Sequence, residues 1–251
     1  MYNFFVDASA RSGDRFRIDG KDYNHIRNVL RMQVGDTFLV SCEGFSFLCR
    51  LEQIDEDAVT AEIMEKNDRN TELPVQFYLF QGLPKGDKLE LIIQKTVELG
   101  VAGITPVEMS RCVMKLDEKK KKSRRERWQS IAESAAKQSK RNVIPTVSDV
   151  MTYKQAMGKV SELDLFLVPY ENERGMAETR EALSRIKPGM SVGILIGPEG
   201  GFDEKEIELA RASGAAVISL GSRILRAETA AVTAVALGML HVELNLGGDE
   251  S

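Results

Sequence analysis

Two glycine-punctuated turns constrain the fold more than any other feature of this chain: Ile196-Gly197-Pro198-Glu199-Gly200-Gly201-Phe202 and Leu220-Gly221-Ser222-Arg223-Ile224-Leu225-Arg226-Ala227-Glu228-Thr229-Ala230. Each follows a short apolar run and leads into a stretch of helical character. Repeated strand–turn–helix units build a parallel sheet, and their turns collect on the rim at the strand C-termini, where α/β proteins hold ligands. Neither turn has the Lys-Ser/Thr pair of a phosphate-cradling loop, and neither spells G-x-G-x-x-G. Glu199, between the glycines, would repel a pyrophosphate. A wall of backbone N–H and C=O groups suits a purine with a cationic or neutral tail. The competing reading of the first turn is an ordinary tight link from strand to helix.

The rhythm along the chain predicts two domains. Up to about residue 70 it is short and β-rich, with strands expected at Asn3–Val6, Phe16–Ile18, Thr37–Ser41, Phe45–Leu51 and Val59–Met64. One helix, about Asp22 to Arg31, interrupts them. Many short strands in so few residues suggest a small barrel. After a polar bridge at Asn67–Glu72, strands and helices alternate. Strands are expected at Val75–Phe80, Ile104–Val107, Leu163–Val168, Val192–Ile196 and Val217–Leu220. Between them fall helices at about Lys85–Leu99, Arg124–Lys140, Tyr153–Val160, Met176–Ile186 and Glu204–Ala212. Asp203 with Glu206 three residues on forms a capping-box pattern, and Gly100 and Gly214 stop their helices. This alternation implies a mainly parallel sheet covered by helices. The expected limits are 1–70 and 74–247. The last helix, about Glu228 to Leu244, is so rich in Ala and apolar residues that it must pack in its own core or against a second copy of the chain.

Composition excludes several classes. At 43% hydrophobic and 29% charged, the 251 residues read as an ordinary globular protein. No apolar run approaches the roughly 20 residues of a membrane span, and the start lacks the pattern of a signal peptide. Cys42, Cys49 and Cys112 are not spaced as zinc pairs, and the two histidines, His25 and His241, lie far apart, so no metal is expected. Buried or incidental thiols in a reducing cytoplasm fit better. The net charge of −4 conceals a basic stretch between Arg111 and Arg127, with nine basic residues against three acids. Such a run is either a solvated loop or a grip for a phosphate backbone.

Taken together, these motifs resemble the bacterial 16S ribosomal RNA uridine-N3 methyltransferases of the SPOUT class. The likeness rests on Ile196–Phe202 and Leu220–Ala230, supported by Gln94–Gly100 (QKTVELG) and His25–Arg31 (HIRNVLR), and it runs along nearly the whole chain. Lys137 departs from the pattern, where an acidic residue is expected. The resemblance implies an α/β C-terminal domain with a parallel sheet and a deep trefoil knot, preceded by a small PUA-like β-barrel that helps hold RNA. It also implies a homodimer, S-adenosylmethionine as cofactor and the small ribosomal subunit as substrate, in the cytoplasm and without membrane or metal. The alternatives are another SPOUT methyltransferase acting on ribose 2′-OH or transfer RNA, and a non-catalytic RNA-binding assembly factor.

Arg226 is the first candidate for catalysis, as a cation beside the ring carbonyls where charge gathers when N3 loses its proton. Its alternative is a structural ion pair with Glu199 or Glu228, each of which is also a candidate general base. Cofactor contacts are expected from Ile196, Gly197, Pro198, Gly200, Gly201, Leu220, Ile224, Leu225 and Ala230. Gln81, Leu83, Pro169 and Tyr170 should line the same rim. For RNA the candidates are Arg11, Arg15, Arg17, Arg27 and Arg31, with Lys119, Lys120, Lys121, Lys122 and Arg124 of the basic run, gripping phosphate more than reading bases.

Overall fold

A computed structural model of the chain describes residues 1–67 and 71–246. The expected domain limits at residues 70 and 247 therefore lie outside the described residues. The chain divides into two compact units, Met1–Glu72 with Ala136–Ile144, and Leu73–Ala135 with Pro145–Ser251.

The first unit contains β1 (Asn3–Phe5), β2 (Arg11–Ser12), β3 (Arg15–Asp19), α1 (Gly20–Asn24), β4 (Thr37–Cys42), β5 (Phe45–Ile54) and β6 (Ala58–Asn67). They form one six-stranded sheet in the order β1-β4-β5-β6-β3-β2, antiparallel except for the β1–β4 pair. Alternation along the strands sends one face inward. Phe4, Phe16, Ile18, Phe38, Val40, Phe47, Leu51 and Val59 share a single core. The helix expected over Asp22–Arg31 is instead the short α1 followed by a π-helical turn at His25–Val29. Segment 136–144 joins this unit, which the sequence did not suggest. Its ties are polar: Lys137 Nζ lies 2.9 Å from Asp22 Oδ1, Asn3 Nδ2 donates to the Arg141 carbonyl at 3.2 Å, and the buried Arg141 pairs with Glu72. Lys137 thus has an acidic partner within the fold.

The second unit runs β7 (Gln76–Gly82), α2 (Lys88–Glu98), β8 (Gly103–Glu108), α3 (Glu118–Ser139), β9 (Thr146–Val147), β10 (Met151–Thr152) and α4 (Tyr153–Gly158). It continues with β11 (Leu165–Pro169), α5 (Ala177–Ser184), β12 (Ser191–Ile196), α6 (Glu204–Ala212), β13 (Ala216–Ile218) and α7 (Ala227–Asn245). The last residues of α3 belong to the first unit. The sheet is parallel throughout, in the order β10-β8-β7-β12-β11-β13, with β9 beside β8. Its central strands are near-continuous apolar runs, as strands covered on both faces must be.

Helix α3 starts at Glu118, six residues before the expected Arg124. Its first turn is entirely charged and gives no apolar period, but the Asp117 carboxylate accepts the Lys120 N–H at 2.8 Å and caps it. The Asp203–Glu206 capping box is present at the start of α6. Helix α7 is long and apolar enough to cross a membrane by length and composition. Ala231, Ala234, Val235, Gly238 and Val242 are nonetheless buried in the unit, with Gly238 against the Phe77 ring.

Candidate functional site

Strand register sets the rim. Gln81 of β7 lies opposite Ile196 of β12, and Pro169 of β11 lies opposite Ile218 of β13, so these four strands end together. The loop after β12 then crosses the end of β7. A Cβ at Gly82 would sit 2.7 Å from the Pro198 backbone nitrogen and 2.8 Å from Met109 Sδ, so only glycine allows this approach. The loop closes on itself through the Gly201 N–H, which donates to the Pro198 carbonyl at 2.9 Å. Arg111 holds it from outside, donating to the Gly200 carbonyl at 3.0 Å. Its last residue, Phe202, is buried edge-on to the Tyr170 ring.

The loop after β13 is held at its base. Thr179 donates its hydroxyl to the Ser219 carbonyl at 2.8 Å, and Ser219 Oγ accepts the Gly221 N–H at 3.2 Å. Beyond that point Ser222, Arg223, Ile224 and Arg226 are exposed. Arg226 takes the N-cap position of α7 in extended backbone, without a side-chain cap.

Between the two loops lies a cleft of about 480 Å³, in the range of small-molecule and cofactor sites. Of the expected cofactor contacts, it brings together Pro169, Tyr170, Ile196, Gly197, Pro198, Gly200, Gly201, Leu220, Ile224, Leu225 and Ala230. Glu199 and Arg226 line it too. Gln81 and Leu83 do not. Both are fully buried behind the first loop, where Gln81 Nε2 donates to the Gly82 carbonyl at 3.0 Å. Sequence reasoning passed over Lys88, Glu171 and Arg223, all of which line the cleft. In the structure Lys88 is a cation on the first residue of α2, where the macrodipole disfavours it.

Lys88 organises the carboxylates. Its Nζ lies 3.0 Å from Glu199 Oε1 and 3.4 Å from Glu228 Oε2. Both contacts are ion pairs, and the buried Glu228 Oε2 has no hydrogen-bond partner among the described residues. Glu199 also accepts the Lys85 N–H, at 3.1 and 3.2 Å to its two oxygens. Burial pushes the Glu199 carboxyl up, but the bonds from Lys88 and from backbone N–H groups outweigh it and hold the group below its ordinary range. Lys88 in turn is held above the ordinary lysine range, chiefly by its bond to Glu199. The pairing considered for Arg226 is thus made by Lys88, and no ion pair joins Arg226 to either glutamate among the described residues.

The expected RNA contacts scatter more widely. In the first unit Arg15 pairs with Glu52 at 2.6 Å and Arg17 with Asp57 at 2.9 Å, while Arg27 lies over the Tyr23 ring and donates to the Asp55 carbonyl. Arg31 is exposed, at a positive φ of 53°. Arg11 stands 5.0 Å over the Phe47 ring, at the edge of a recess of about 330 Å³ shared with Phe45 and Lys66. In the second unit much of the basic run is paired: Lys120 with Asp117, Lys121 with Glu108 and Glu118, and Arg124 with Asp87 and Glu90. Lys119 and Lys122 are exposed. Burial pushes the Cys49 thiol up to about 12, which leaves it protonated and unreactive.

A family model described as an RNA methyltransferase domain matches residues 71–239, and one described as an RNA methyltransferase PUA domain matches residues 18–64. Over its full length, and that of its counterpart, the chain is 39% identical to the ribosomal RNA small subunit methyltransferase E of Bacillus subtilis (strain 168). The chain belongs to the ribosomal RNA small subunit methyltransferase E family. A further member, from Mesomycoplasma hyopneumoniae (strain 232), is 34% identical across 92% of this chain and 96% of its own. The crystal structure of the methyltransferase E from Neisseria gonorrhoeae, bound to S-adenosyl methionine, superposes with a TM-score of 0.81 at 30% identity, covering 96% of this chain and 97% of that one. As in that family, a PUA domain precedes an α/β methyltransferase domain built on a parallel sheet.

Proposed function

We propose that this protein methylates N3 of a specific uridine of 16S ribosomal RNA within the small ribosomal subunit, using S-adenosylmethionine, in the cytoplasm and as a homodimer. The observation that carries the reading is the cleft itself, walled by the two glycine loops with Arg226 at its edge, in a member of a ribosomal RNA methyltransferase family. The same reading includes a deep trefoil knot in the segment that bears the loops.

The residues present fit the cofactor. The first wall is backbone that tolerates no side chain at Gly82, and the lining combines apolar contacts from Pro169, Tyr170, Ile196, Leu225 and Ala230 with the carboxylates of Glu171 and Glu199. These residues would hold an adenosine and a cationic tail, as a nucleotide-phosphate site with such carboxylates would not. When bound, S-adenosylmethionine supplies an electrophilic methyl group on a sulfonium. The protein then supplies alignment, which alone can provide much of the acceleration for such a transfer. The uracil edge must be unpaired to reach the cleft. Arg226, free of an ion pair with either neighbouring glutamate among the described residues, would stabilise the negative charge that spreads to the ring carbonyls as the N3 proton passes to solvent water. Glu199 is a poor base because its carboxyl is held below the ordinary range, and Glu228 faces Lys88. Both glutamates therefore act through Lys88 on the shape of the site.

RNA is gripped, in this reading, by Arg11 and Arg31 of the first unit and by Lys119 and Lys122 of the basic run, with the paired arginines contributing once their acids are displaced. The test is methyl transfer from isotopically labelled cofactor to unmethylated small subunits, with the product nucleoside identified by mass spectrometry. N3-methyluridine at one 16S position is the expected result. A methyl group on ribose, or on transfer RNA alone, would overturn the substrate assignment, and cofactor binding without turnover would favour an assembly factor.

A further inference from the structure

Lys88 breaks a local rule. It opens α2, where the helix dipole disfavours a cation, and it leads the eleven-residue helix toward the cleft rather than away from it. A residue placed against local preference is offset by something beyond its own element. Here the offset is a pair of carboxylates from the two opposite walls: Glu199 from the loop after β12 and Glu228 from the first turn of α7.

We propose that Lys88 is a positioning residue for methyl transfer: by occupying Glu199 and Glu228 together, it fixes the two walls of the cleft and keeps Arg226 from collapsing onto either glutamate. The inference rests on the reading of the cleft given above and deepens it. Arg226 lies two residues before Glu228 and lines the same cleft as Glu199. A guanidinium pairs with carboxylates better than an ammonium does, because it can offer two parallel N–H donors. Arg226 nevertheless stands exposed, and the carboxylates are bound by the lysine. Without Lys88 the buried Glu228 Oε2 would have no cation at hand, an arrangement that costs far more than an exposed pair contributes. Arg226 is the nearest cation along the chain to relieve it. An arginine so captured would no longer be available to the uracil ring.

The test is a mutant cycle on the full-length protein, reading kcat and KM on unmethylated small subunits, cofactor Kd by calorimetry, and Tm. Lys88→Met should lower kcat about 100-fold, the scale of losing one electrostatic stabiliser, with cofactor Kd within about threefold because the apolar contacts remain. Lys88→Arg, which keeps the charge, should restore most of kcat. In an E199Q/E228Q background, where neither carboxylate that Lys88 occupies is left to capture Arg226, adding K88M should cost less than about threefold, the signature of coupled residues. Rescue by Lys88→Arg and the lost effect of K88M in the neutralised background separate this from general damage, because a mere loss of stability would produce neither. An equal loss on adding K88M to the neutralised background, or a kcat that tracks Tm alone, would overturn the proposal. Wild-type protein that binds cofactor but transfers no methyl would instead sink the reading of the cleft, and is seen before any variant is made.

Discussion

The two glycine loops wall the same cleft but hold their shape by opposite means. The loop after β12 is fastened at nearly every residue: Gly201 to Pro198, Gly200 to Arg111, Glu199 to Lys85 and Lys88, and Phe202 in the core. The loop after β13 is pinned at Ser219 and Gly221, and its tip is open, with Ile224 87% exposed. One wall is held by its own contacts, so a ligand meeting it incurs little ordering cost; the other has few ties beyond its base, so a ligand that orders its tip would do so at a cost in freedom.

The largest effect should come from the open wall. Arg226→Ala is expected to slow methyl transfer by about 100- to 1,000-fold, with cofactor Kd nearly unchanged by calorimetry. A matching loss of cofactor affinity would erase the assignment of chemistry to this loop. Next comes Gly82→Ala, whose Cβ meets the Pro198 backbone. Overpacking there should cost about 1–3 kcal/mol, seen as a lower Tm together with weakened cofactor binding. Gly221 has φ +104° but open space around it. Gly221→Ala should therefore cost only backbone strain, about 1 kcal/mol, and a larger loss than at Gly82 would reverse the comparison.

Ile224→Ala should leave Tm unmoved because the residue is exposed, while cofactor affinity falls about fivefold, roughly 1 kcal/mol of lost apolar cover. Smallest of all is the acid dependence of Glu199. Its folded carboxyl lies below the unfolded value, so its contribution to stability is present above that value and disappears as pH drops through the folded one. Glu199→Gln should flatten urea-denaturation stability below about pH 5, by no more than about 1 kcal/mol for so exposed a pair. A slope unchanged by the substitution would assign the acid sensitivity elsewhere.

Much of this was legible because it is local. The capping box at Asp203 and Glu206, the glycine stop at Gly100 and the apolar runs of β11 and β12 are each written within a few residues. The first cleft wall was legible for the same reason, since Gly197, Gly200 and Gly201 fall within five residues. Gln81 and Leu83 were placed at the rim on strand order alone, but the β7 end is covered by the incoming loop, and both side chains are buried behind it. Lys88 was missed because its partners lie more than a hundred residues away, and nothing local marks an ion pair of that span. The charge of the basic run was plain, but its neutralisation by Asp87 and Glu90 depends on helices α2 and α3 meeting. Strands β2, β9 and β10, two residues each, are too short to show any period.

The sheet order carries a consequence for how the protein is made. β12 sits in the middle of the sheet, paired with β7 on one side and β11 on the other, although it emerges more than a hundred residues after β7. A chain growing from its N-terminus must hold β7 with an open edge until β12 emerges more than a hundred residues later, and pairings of such long sequence separation are slow to form. The glycine loop rides on that late strand. The cleft can therefore take shape only after the centre of the sheet has closed, and a nascent chain stopped short of residue 191 would lack the middle of its domain, not merely an edge.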